Sequence, residues 1–506
     1  MKRRIPRPKL RLRRKEEGGG MKFYARKYWY VFFLIAIFLS SWYFRSIPGR
    51  WNELIGLDEF LFYRIARDTL NNNLVLPALD TMRYYPLGVS TWEVDYTMPI
   101  YLPVIAYLFA SAIGISMPFL QFAIFFPAFI GAVGAIIGFF IAKELFKSNT
   151  SGLFAAFFVS MTPALFTRTS AASFEKEATA VIFMMAAIWL FLKSYNSGSN
   201  RSSWFYGILS GLSLALMSLS WGGVQYIYLV FAAFFGIIFI VNVALVVLNY
   251  LFSGIEGSLN NLEKFMGPSM MMAYIPMIIL GTVIQSMTPH NIGSTHFSVL
   301  AAYGVGAVLL LRYGLIRFKL VKKEKAAYII PAMMLAGVVV FFAGSIMTDF
   351  FDSLIGSFMS LLTLSRSVIG STVAENAPGD WNTIFSTLGT GFSSGTLPYL
   401  GSIAPFFALW IFMFLGAFLI VYEIYKTQNW LLIFPLVWLG STMFSIFWMV
   451  RLLFILGPAA GIVAGFFFGW MAQRIIGTKY MESAKKKKGL LVAISALTAG
   501  MIATAF

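Results

Sequence analysis

The stretch FLQFAIFFPAFIGAVGAIIGFFIA, residues 119–142, contains no charged side chain and is long enough to cross a membrane as one helix. A helix rises about 1.5 Å per residue, so roughly 20 apolar residues span the ~30 Å hydrocarbon core of a bilayer. Comparable runs recur along the chain of 506 residues, which is 59% hydrophobic and only 12% charged. Because soluble domains carry about 25% charged residues, this composition predicts an all-α polytopic membrane protein.

Thirteen apolar runs are candidates for membrane-spanning helices. They are 28–47, 119–142, 151–167, 178–194, 204–220, 223–250, 268–286, 297–316, 327–347, 403–422, 429–447, 452–472 and 489–506. One further apolar stretch, 97–117, contains Pro99 and Pro103. Whether this stretch crosses decides on which side of the membrane every later loop falls.

The distribution of charge indicates that 97–117 does not cross. With thirteen crossings, 30 of the 39 Lys and Arg residues lie on the side of the N-terminus, and 13 of the 21 acids lie opposite. Because Lys and Arg accumulate in cytoplasmic loops, we expect the N-terminus inside. Residues 1–27 then form a basic cytoplasmic tail in which Met21 is an alternative start, and 97–117 is a helix on the outer membrane surface. The net charge of +18 reflects this orientation rather than nucleic-acid binding.

The predicted orientation collects acidic side chains on the outer face of the membrane. The outer segments include the loop 48–118, the turn 168–177 and the long loop 348–402. Their acids include Asp58, Glu59, Asp68, Glu175, Glu177 and Glu375. The chain contains no cysteine and two histidines. A metal site therefore has to rest mainly on carboxylates, which suit hard cations such as Mg²⁺ or Mn²⁺.

Two acidic segments stand close to predicted helices. Asp58, in GLDEFLFYR, is either a solvated surface acid or a partly buried carboxylate that needs a cation among apolar neighbours. Glu175 and Glu177, in FEKE, precede the span 178–194. The helix macrodipole stabilises an acid at this position by about 0.3–1 kcal/mol, which explains one of the two. Two acids two residues apart also repel each other, and a divalent cation would relieve that repulsion.

Two further charged residues lie in unusual settings. Glu375 is part of STVAENAPGDW in the long loop 348–402, and loops of this length are often functional. The alternative is a solvated loop with one charged residue. Arg451 is the only charged residue between Lys426 and Arg474. An arginine at a membrane boundary either reaches lipid headgroups or binds a substrate, and its guanidinium can bind a phosphate with two hydrogen bonds.

In this order, the motifs resemble those of the catalytic subunits of oligosaccharyltransferases, especially the archaeal members. GLDEFLFYR resembles the first acidic motif of that family, RTSAASFEKEA its paired-acid motif, and SSWGG its Ser-Trp-Gly-Gly turn. TVAE, residues 372–375, resembles the acidic motif of the family's long external loop, and RLLFILGPAAG resembles its arginine-containing segment. The resemblance implies a membrane glycosyltransferase of the GT-C type, with thirteen spans and an internal N-terminus.

The resemblance also implies a reaction. An oligosaccharide would be transferred from a dolichyl phosphate or diphosphate carrier to the asparagine of an Asn-x-Ser/Thr sequon in an acceptor polypeptide, on the extracytoplasmic face of the cell membrane. The implied ligands of a Mn²⁺ or Mg²⁺ ion are Asp58, Glu175, Glu177 and Glu375. Asp58 and Glu375 would also bind the acceptor amide, Arg451 would stabilise the leaving phosphate, and Thr372 would help to shape the acceptor site.

Two features depart from the family pattern. The paired-acid motif begins with Glu175 instead of aspartate, which lengthens that ligand by one methylene. The family's extracytoplasmic C-terminal domain, with its Trp-Trp-Asp-Tyr-Gly motif, does not occur in the 506 residues. We therefore expect a truncated chain or a split gene, in which sequon recognition depends on a C-terminal domain that is either fused or supplied by a partner.

Two other functions remain as alternatives. Another GT-C glycosyltransferase with a lipid-phosphate sugar donor would explain the Asp58–Glu59 pair without needing the motif at 372–375. A membrane transporter would place charges near the bilayer midplane and often shows internal repeats. Neither feature is found in this sequence.

Overall fold

The computed structural model describes residues 20–252, 255–289, 296–347, 356, 376–389 and 409–477. This part of the chain is mostly helical, as the apolar runs predict. Two strands in the first loop, β1 (Leu79–Asp80) and β2 (Val89–Ser90), form a short antiparallel pair in which Leu79 lies opposite Ser90.

Eighteen α-helices are described. In chain order they are α1 (Gly20–Ser46), α2 (Leu57–Asn71), α3 (Thr91–Val94), α4 (Met98–Ala112), α5 (Phe119–Phe146), α6 (Asn149–Met161), α7 (Pro163–Arg168), α8 (Lys176–Tyr195), α9 (Asn200–Ser218), α10 (Val224–Leu251), α11 (Glu256–Phe265), α12 (Pro268–Ser286), α13 (Phe297–Arg317), α14 (Ile329–Met347), α15 (Trp381–Gly389), α16 (Leu409–Thr427), α17 (Ile433–Trp448) and α18 (Leu453–Gly477).

Nine helical segments in the described part are long and apolar enough to cross a membrane. They cover Tyr28–Trp51, Phe119–Phe146, Lys176–Tyr195, Val224–Leu251, Glu256–Ser286, Phe297–Arg317, Leu409–Thr427, Trp430–Trp448 and Val450–Arg474. The chain is therefore a multi-pass membrane protein. The total of thirteen spans and the internal N-terminus stay predictions, and the predicted last span, 489–506, lies outside the described residues.

One predicted span is broken in the structure. The run 151–167 forms two helices, α6 and α7, which are separated at Thr162. Thr162 has an extended backbone (φ −66°, ψ 121°), because the residue before a proline is disfavoured in the helical region. Pro163 then begins α7, where its missing N–H costs nothing. The break ends α6 and leads the chain towards the acidic turn before α8.

The stretch predicted as a surface helix forms α4, which has 15 residues. Its length is about 22 Å at 1.5 Å per residue, which is shorter than the hydrocarbon core of a bilayer. The helix packs against α2, α5 and α8. Its position on the outer membrane surface stays a prediction.

Close packing of α18 against α6 connects two distant parts of the sequence. Gly465 and Gly469 lie one turn apart on α18. A Cβ atom at Gly465 would lie 2.5 Å from the backbone nitrogen of Ala155, and one at Gly469 would lie 2.0 Å from Ser151 Oγ. Small residues at this spacing let two membrane helices approach closely. The contact fixes the start of α18, and with it Arg451, relative to the segment that leads into α8.

A second apolar cluster packs the first loop against the start of α5. Phe62 and Ile65 on α2 pack with Ile100 and Val104 on α4, and with Phe119 at the start of α5. All five side chains are buried. Burying side chains of this size stabilises a structure by about 1.5–3 kcal/mol each. The cluster therefore anchors α2, whose first turn carries the first acidic motif.

Candidate active site

The acidic turn between α7 and α8 is fastened by its backbone. The N–H of Ala171 donates to the carbonyl of Arg45 (2.7 Å), and the N–H of Ala172 donates to the carbonyl of Ile124 (2.8 Å). The carbonyl of Ala172 in turn accepts from the N–H of Ile55 (3.2 Å). The turn is therefore tied to α1, to α5 and to the segment just before α2. These bonds bring the first and second acidic motifs to the same end of the molecule.

Glu177 and Arg451 form a buried ion pair at this end. Arg451 Nε donates to Glu177 Oε1 at 3.1 Å, and a second guanidinium nitrogen donates to the same oxygen. The side chain of Glu177 is 1% exposed and that of Arg451 is 24% exposed. The two residues are 274 positions apart in the sequence. The pair joins the paired-acid motif to the arginine segment. From the sequence, only the family resemblance had indicated that these two segments belong to one site.

Glu175 has a different environment from Glu177. Arg168 donates to its carboxylate at 2.7 Å, and its other contact is a hydrogen bond with the carboxyl group of Glu59. Burial, followed by the negative charge of Glu177, raises the pKa of Glu175 to about 8. Burial also raises the pKa of Glu59. Two carboxyl groups that touch each other hold a shared proton, which a cation can replace.

Asp58 lies at the rim of this group. Its carboxylate is 3.9 Å from the ammonium nitrogen of Lys176, and its side chain is 58% exposed. The Lys176 ammonium also lies 5.7 Å from the centre of the Phe62 ring. Asp58 and Glu59 both belong to the first turn of α2, yet Glu59 is buried while Asp58 faces outwards. Glu59 was not selected from the sequence, because an adjacent pair does not reveal which acid points inwards.

The predicted metal ligands do not form a complete metal-binding site in the described part of the chain. No three Asp, Glu, His or Cys side chains are placed together there to hold an ion. Arg168, Lys176 and Arg451 instead each contact one predicted ligand. The chemistry of the donors nevertheless suits a hard divalent cation. Carboxyl groups from two helix termini meet, and two of them share a hydrogen bond.

Two predicted site residues, Thr372 and Glu375, lie outside the described residues. The chain is described again from Asn376. The N–H of Val450 donates to the carbonyl of Ala377 (2.9 Å), and the N–H of Gly379 donates to the carbonyl of Ile446 (3.0 Å). The segment that follows the TVAE motif therefore runs beside the residue that precedes Arg451.

Tyr96 is a site residue that the sequence reasoning missed. Its hydroxyl makes a hydrogen bond with the backbone of Gly222. The charges of Arg451 and Glu177 are close enough to affect the pKa of this hydroxyl. Burial raises its pKa. A Cβ atom at position 222 would lie 2.6 Å from this hydroxyl. This close approach explains why the SSWGG turn has a glycine at position 222. The only signal for it in the sequence was a single tyrosine just before α4.

Fold and site together define a polytopic helical membrane protein with an acid-rich cluster and a partly buried arginine at one end. The chain belongs to the STT3 oligosaccharyl transferase family, since the model of its N-terminal region matches residues 30–505. This membership favours oligosaccharyl transfer over the two alternative functions considered for the sequence.

Curated relatives and solved structures agree with this family. The chain is 26% identical over 399 residues to a dolichyl-diphosphooligosaccharide–protein glycosyltransferase subunit of Schizosaccharomyces pombe, covering 74% of this chain and 46% of the relative. The archaeal oligosaccharyltransferase AglB from Archaeoglobus fulgidus, in complex with an inhibitory peptide and a dolichol-phosphate, has a TM-score of 0.65 at 18% identity. That match covers 95% of this chain and 56% of AglB. A second structure of the Archaeoglobus enzyme, with Zn and sulfate, has a TM-score of 0.60 at 17% identity and covers 94% of this chain and 52% of its own.

These structural matches show the same fold. The chain spans about half the length of the curated relative and of the archaeal structures.

Proposed function

We propose that this chain is the membrane-embedded catalytic part of an oligosaccharyltransferase. It transfers a glycan from a dolichyl phosphate or diphosphate carrier to the asparagine of an Asn-x-Ser/Thr sequon. The observation that carries the proposal is the buried Glu177–Arg451 pair beside the carboxyl groups of Glu59 and Glu175. The Archaeoglobus relative with a bound dolichol-phosphate and peptide supports this choice of donor and acceptor.

Arg451 is proposed to bind the phosphate that leaves with the lipid. Its guanidinium is partly exposed while Glu177 fixes it from the buried side. A positively charged, pre-oriented donor stabilises the negative charge that develops on a leaving phosphate. Glu177 is thereby both a positioning residue for Arg451 and a proposed metal ligand.

The acids of α2 and α8 are proposed to hold a divalent cation, Mn²⁺ or Mg²⁺. Asp58, Glu175, Glu177 and Glu375 are the proposed ligands, and Glu59, which contacts Glu175, joins this group. Such an ion supplies Lewis-acid stabilisation of phosphate charge. The Archaeoglobus structure with Zn and sulfate supports a site where a divalent cation and an oxyanion bind.

The acceptor asparagine is proposed to approach from the exposed side of Asp58. A carboxamide nitrogen is a poor nucleophile because its lone pair is delocalised. Asp58 and Glu375 accept its N–H groups and weaken that delocalisation, and Thr372 shapes the acceptor site. The segment after Glu375 supports this arrangement, because Ala377 is hydrogen-bonded to Val450 next to Arg451. The site faces the extracytoplasmic side. A C-terminal domain, fused or separate, recognises the hydroxyl group of the sequon.

The test is transfer of a labelled glycan to a fluorescent Asn-x-Thr peptide. The purified chain is incubated with a dolichyl-linked donor and Mn²⁺, with and without the C-terminal domain of a relative supplied in trans. Glu175→Gln should abolish detectable transfer and weaken Mn²⁺ binding in calorimetry. The matched control is Glu144→Gln, since Glu144 contacts Lys147 and Lys193 away from the site. Full activity of Glu175→Gln would contradict the proposed role of this residue, and lack of transfer under all conditions would contradict the proposed function.

A further inference from the structure

A cavity of about 710 Å³ has no lining residue in common with the candidate active site. It is bounded by the start of α12, the end of α13 and the turn that follows α13. Its lining includes the apolar side chains of Met271 and Leu309 and the basic side chains of Arg312, Arg317, Lys319 and Lys322.

The direction of α12 indicates where the cavity lies relative to the candidate active site. The C-terminal end of α12 lies near the first loop, because Thr288 and Asp95 border the same small pocket, and Asp95 precedes Tyr96 of the candidate site. Helix α12 has 19 residues and is therefore about 28 Å long. Its start, where the cavity opens, is thus about one bilayer core away from the active site. The cavity belongs to a different membrane boundary.

The charges around the cavity are unbalanced. Its described lining contributes four basic side chains, Arg312, Arg317, Lys319 and Lys322, and no acidic one. Glu263, just outside the lining, pairs with Arg312. Three basic side chains are then left to attract an anion.

Arg312 provides a second, independent indication of a ligand. The residue is only 5% exposed. Its guanidinium donates to the carbonyl of Met266 and to Glu263. Its Nε atom is buried and has no hydrogen-bond partner in the described part of the chain. A buried unpaired donor costs about 1–3 kcal/mol, and this cost falls on an arginine that borders the cavity.

The lining combines buried apolar side chains with three exposed basic ones, Arg317, Lys319 and Lys322. Met271, Leu309 and Ile316 contribute the apolar lining. After α13 the chain folds back, with Lys319 at φ +59° and the N–H of Val321 donating to the carbonyl of Leu315 at 3.1 Å. This fold places exposed cations beside a cavity with an apolar interior. The combination matches an amphiphile better than a free anion.

We propose that this cavity binds the phosphate headgroup of an anionic membrane lipid. The phosphate is held by Arg317, Lys319 and Lys322, with the positive charge of Arg312 nearby, while the first part of the lipid chain packs against Met271 and Leu309. Basic pockets between membrane helices near the bilayer surface are a known way to select anionic headgroups. The site is separate from the site where the lipid-linked donor is proposed to react.

The experiment is native mass spectrometry of the purified full chain, released from detergent micelles that contain increasing phosphatidylglycerol. We expect one tightly bound lipid per chain, which phosphatidylcholine does not replace. The triple variant Arg317→Gln/Lys319→Gln/Lys322→Gln should bind phosphatidylglycerol about 100-fold more weakly, since each basic residue near a membrane surface contributes about a factor of five. These three side chains are exposed, so the variant should fold.

The matched control replaces three exposed basic residues at other helix ends: Lys147→Gln/Arg201→Gln/Lys426→Gln. It should retain the bound phosphatidylglycerol. Equal losses in the two triple variants would show that only the general surface charge attracts the lipid, which overturns the proposal. Millimolar inorganic phosphate is a second arm. Displacement of the lipid by phosphate alone would assign the cavity to a soluble phosphate ligand and would also overturn the proposal.

Discussion

Two clusters of acids and arginines lie in the same half of the molecule, and they are built differently. In the first loop, Asp80 accepts hydrogen bonds from Arg64 at 2.8 and 2.6 Å and from Arg83 at 2.7 Å. Arg83 also donates two hydrogen bonds to the carboxylate oxygens of Asp95, at 3.1 and 2.5 Å. Here two acids meet two arginines, and we call this the loop ladder. Its hydrogen bonds from Arg64 hold the pKa of Asp80 below its ordinary value.

The candidate active site has more acids than basic groups. Asp58, Glu59, Glu175 and Glu177 face Arg168, Lys176 and Arg451, and the pKa of Glu175 is raised instead of lowered. The difference separates two roles for the same residue types. A balanced cluster stabilises the fold, whereas a cluster with more acids than basic groups still has a place for a cation. Perturbed acids in such clusters are typical of functional sites.

Loss of Arg451 should have the largest effect. Arg451→Gln is expected to reduce glycan transfer by about 100- to 1000-fold, the usual consequence of removing one donor that stabilises developing charge. It also leaves Glu177 buried without its arginine, which typically costs about 3–5 kcal/mol of stability. Transfer rate and thermal stability are measured together.

The double variant Arg451→Gln/Glu177→Gln separates the two effects of Arg451. It removes the unpaired charge, so stability should recover while transfer stays low. Arg474→Gln, which changes an arginine near the other end of α18, is the matched control. Recovery of transfer in the double variant would show that Arg451 acts only by compensating the charge of Glu177.

Breaking the loop ladder should affect stability more than chemistry. Asp80→Asn removes a carboxylate whose side chain is 3% exposed and leaves Arg64 and Arg83 without their shared partner. Hydrogen bonds to charged groups contribute about 1.5–3 kcal/mol, and part of this is lost to solvent because both arginines are 21% exposed. We expect faster proteolysis of the first loop, with a transfer rate per folded molecule within about threefold of the parent. A transfer defect as large as that of Arg451→Gln would place the ladder in the catalytic machinery.

The loop ladder should also respond to acid in a defined direction. Because the folded pKa of Asp80 lies below its ordinary value, its unfolded form binds more protons and stability rises with pH in this window. The contribution is complete above the ordinary pKa of aspartate, about 3.9, and is lost as pH falls through the lower folded value. The contribution of Asp80 should therefore be unchanged between pH 7 and 5, and proteolysis of the first loop should accelerate below about pH 4. In Asp80→Asn the acceleration should be smaller; an identical acid response would contradict this assignment.

The sequence predicted those features that depend on local pattern. Apolar runs locate the membrane helices because each helix satisfies its own backbone and has to be apolar over its whole length. The break at Thr162 depends on one proline, and the pattern of hydrophobicity around it looks continuous. The pairing of Glu177 with Arg451 is set by packing of α18 on α6, and no local pattern contains that information.

The choice between Asp58 and Glu59 shows a second limit. Neighbouring residues on a helix point about 100° apart, so one of two adjacent acids faces the protein and the other faces away. Which one does so depends on the rotation of α2, fixed by Phe62 and Ile65 in the apolar cluster. The resemblance selected Asp58, and the structure places Glu59 against Glu175. Glu59→Gln and Asp58→Asn, compared in Mn²⁺ binding, distinguish their contributions.

The smallest effect is expected for an acid–base contact that belongs to neither cluster. Lys147 lies 3.4 Å from Glu144, and its side chain is 59% exposed. Exposed ion pairs contribute about 0–1 kcal/mol because water screens the charges and because the long side chains lose entropy on pairing. Glu144 also keeps Lys193 at 3.1 Å, so Lys147→Gln leaves it paired. The variant should therefore melt within about 1 °C of the parent and transfer glycan at the parental rate. A loss of stability comparable to that of Asp80→Asn would mean that burial does not separate the loop ladder from ordinary surface pairs, and the comparison between the clusters would then rest on acid excess alone.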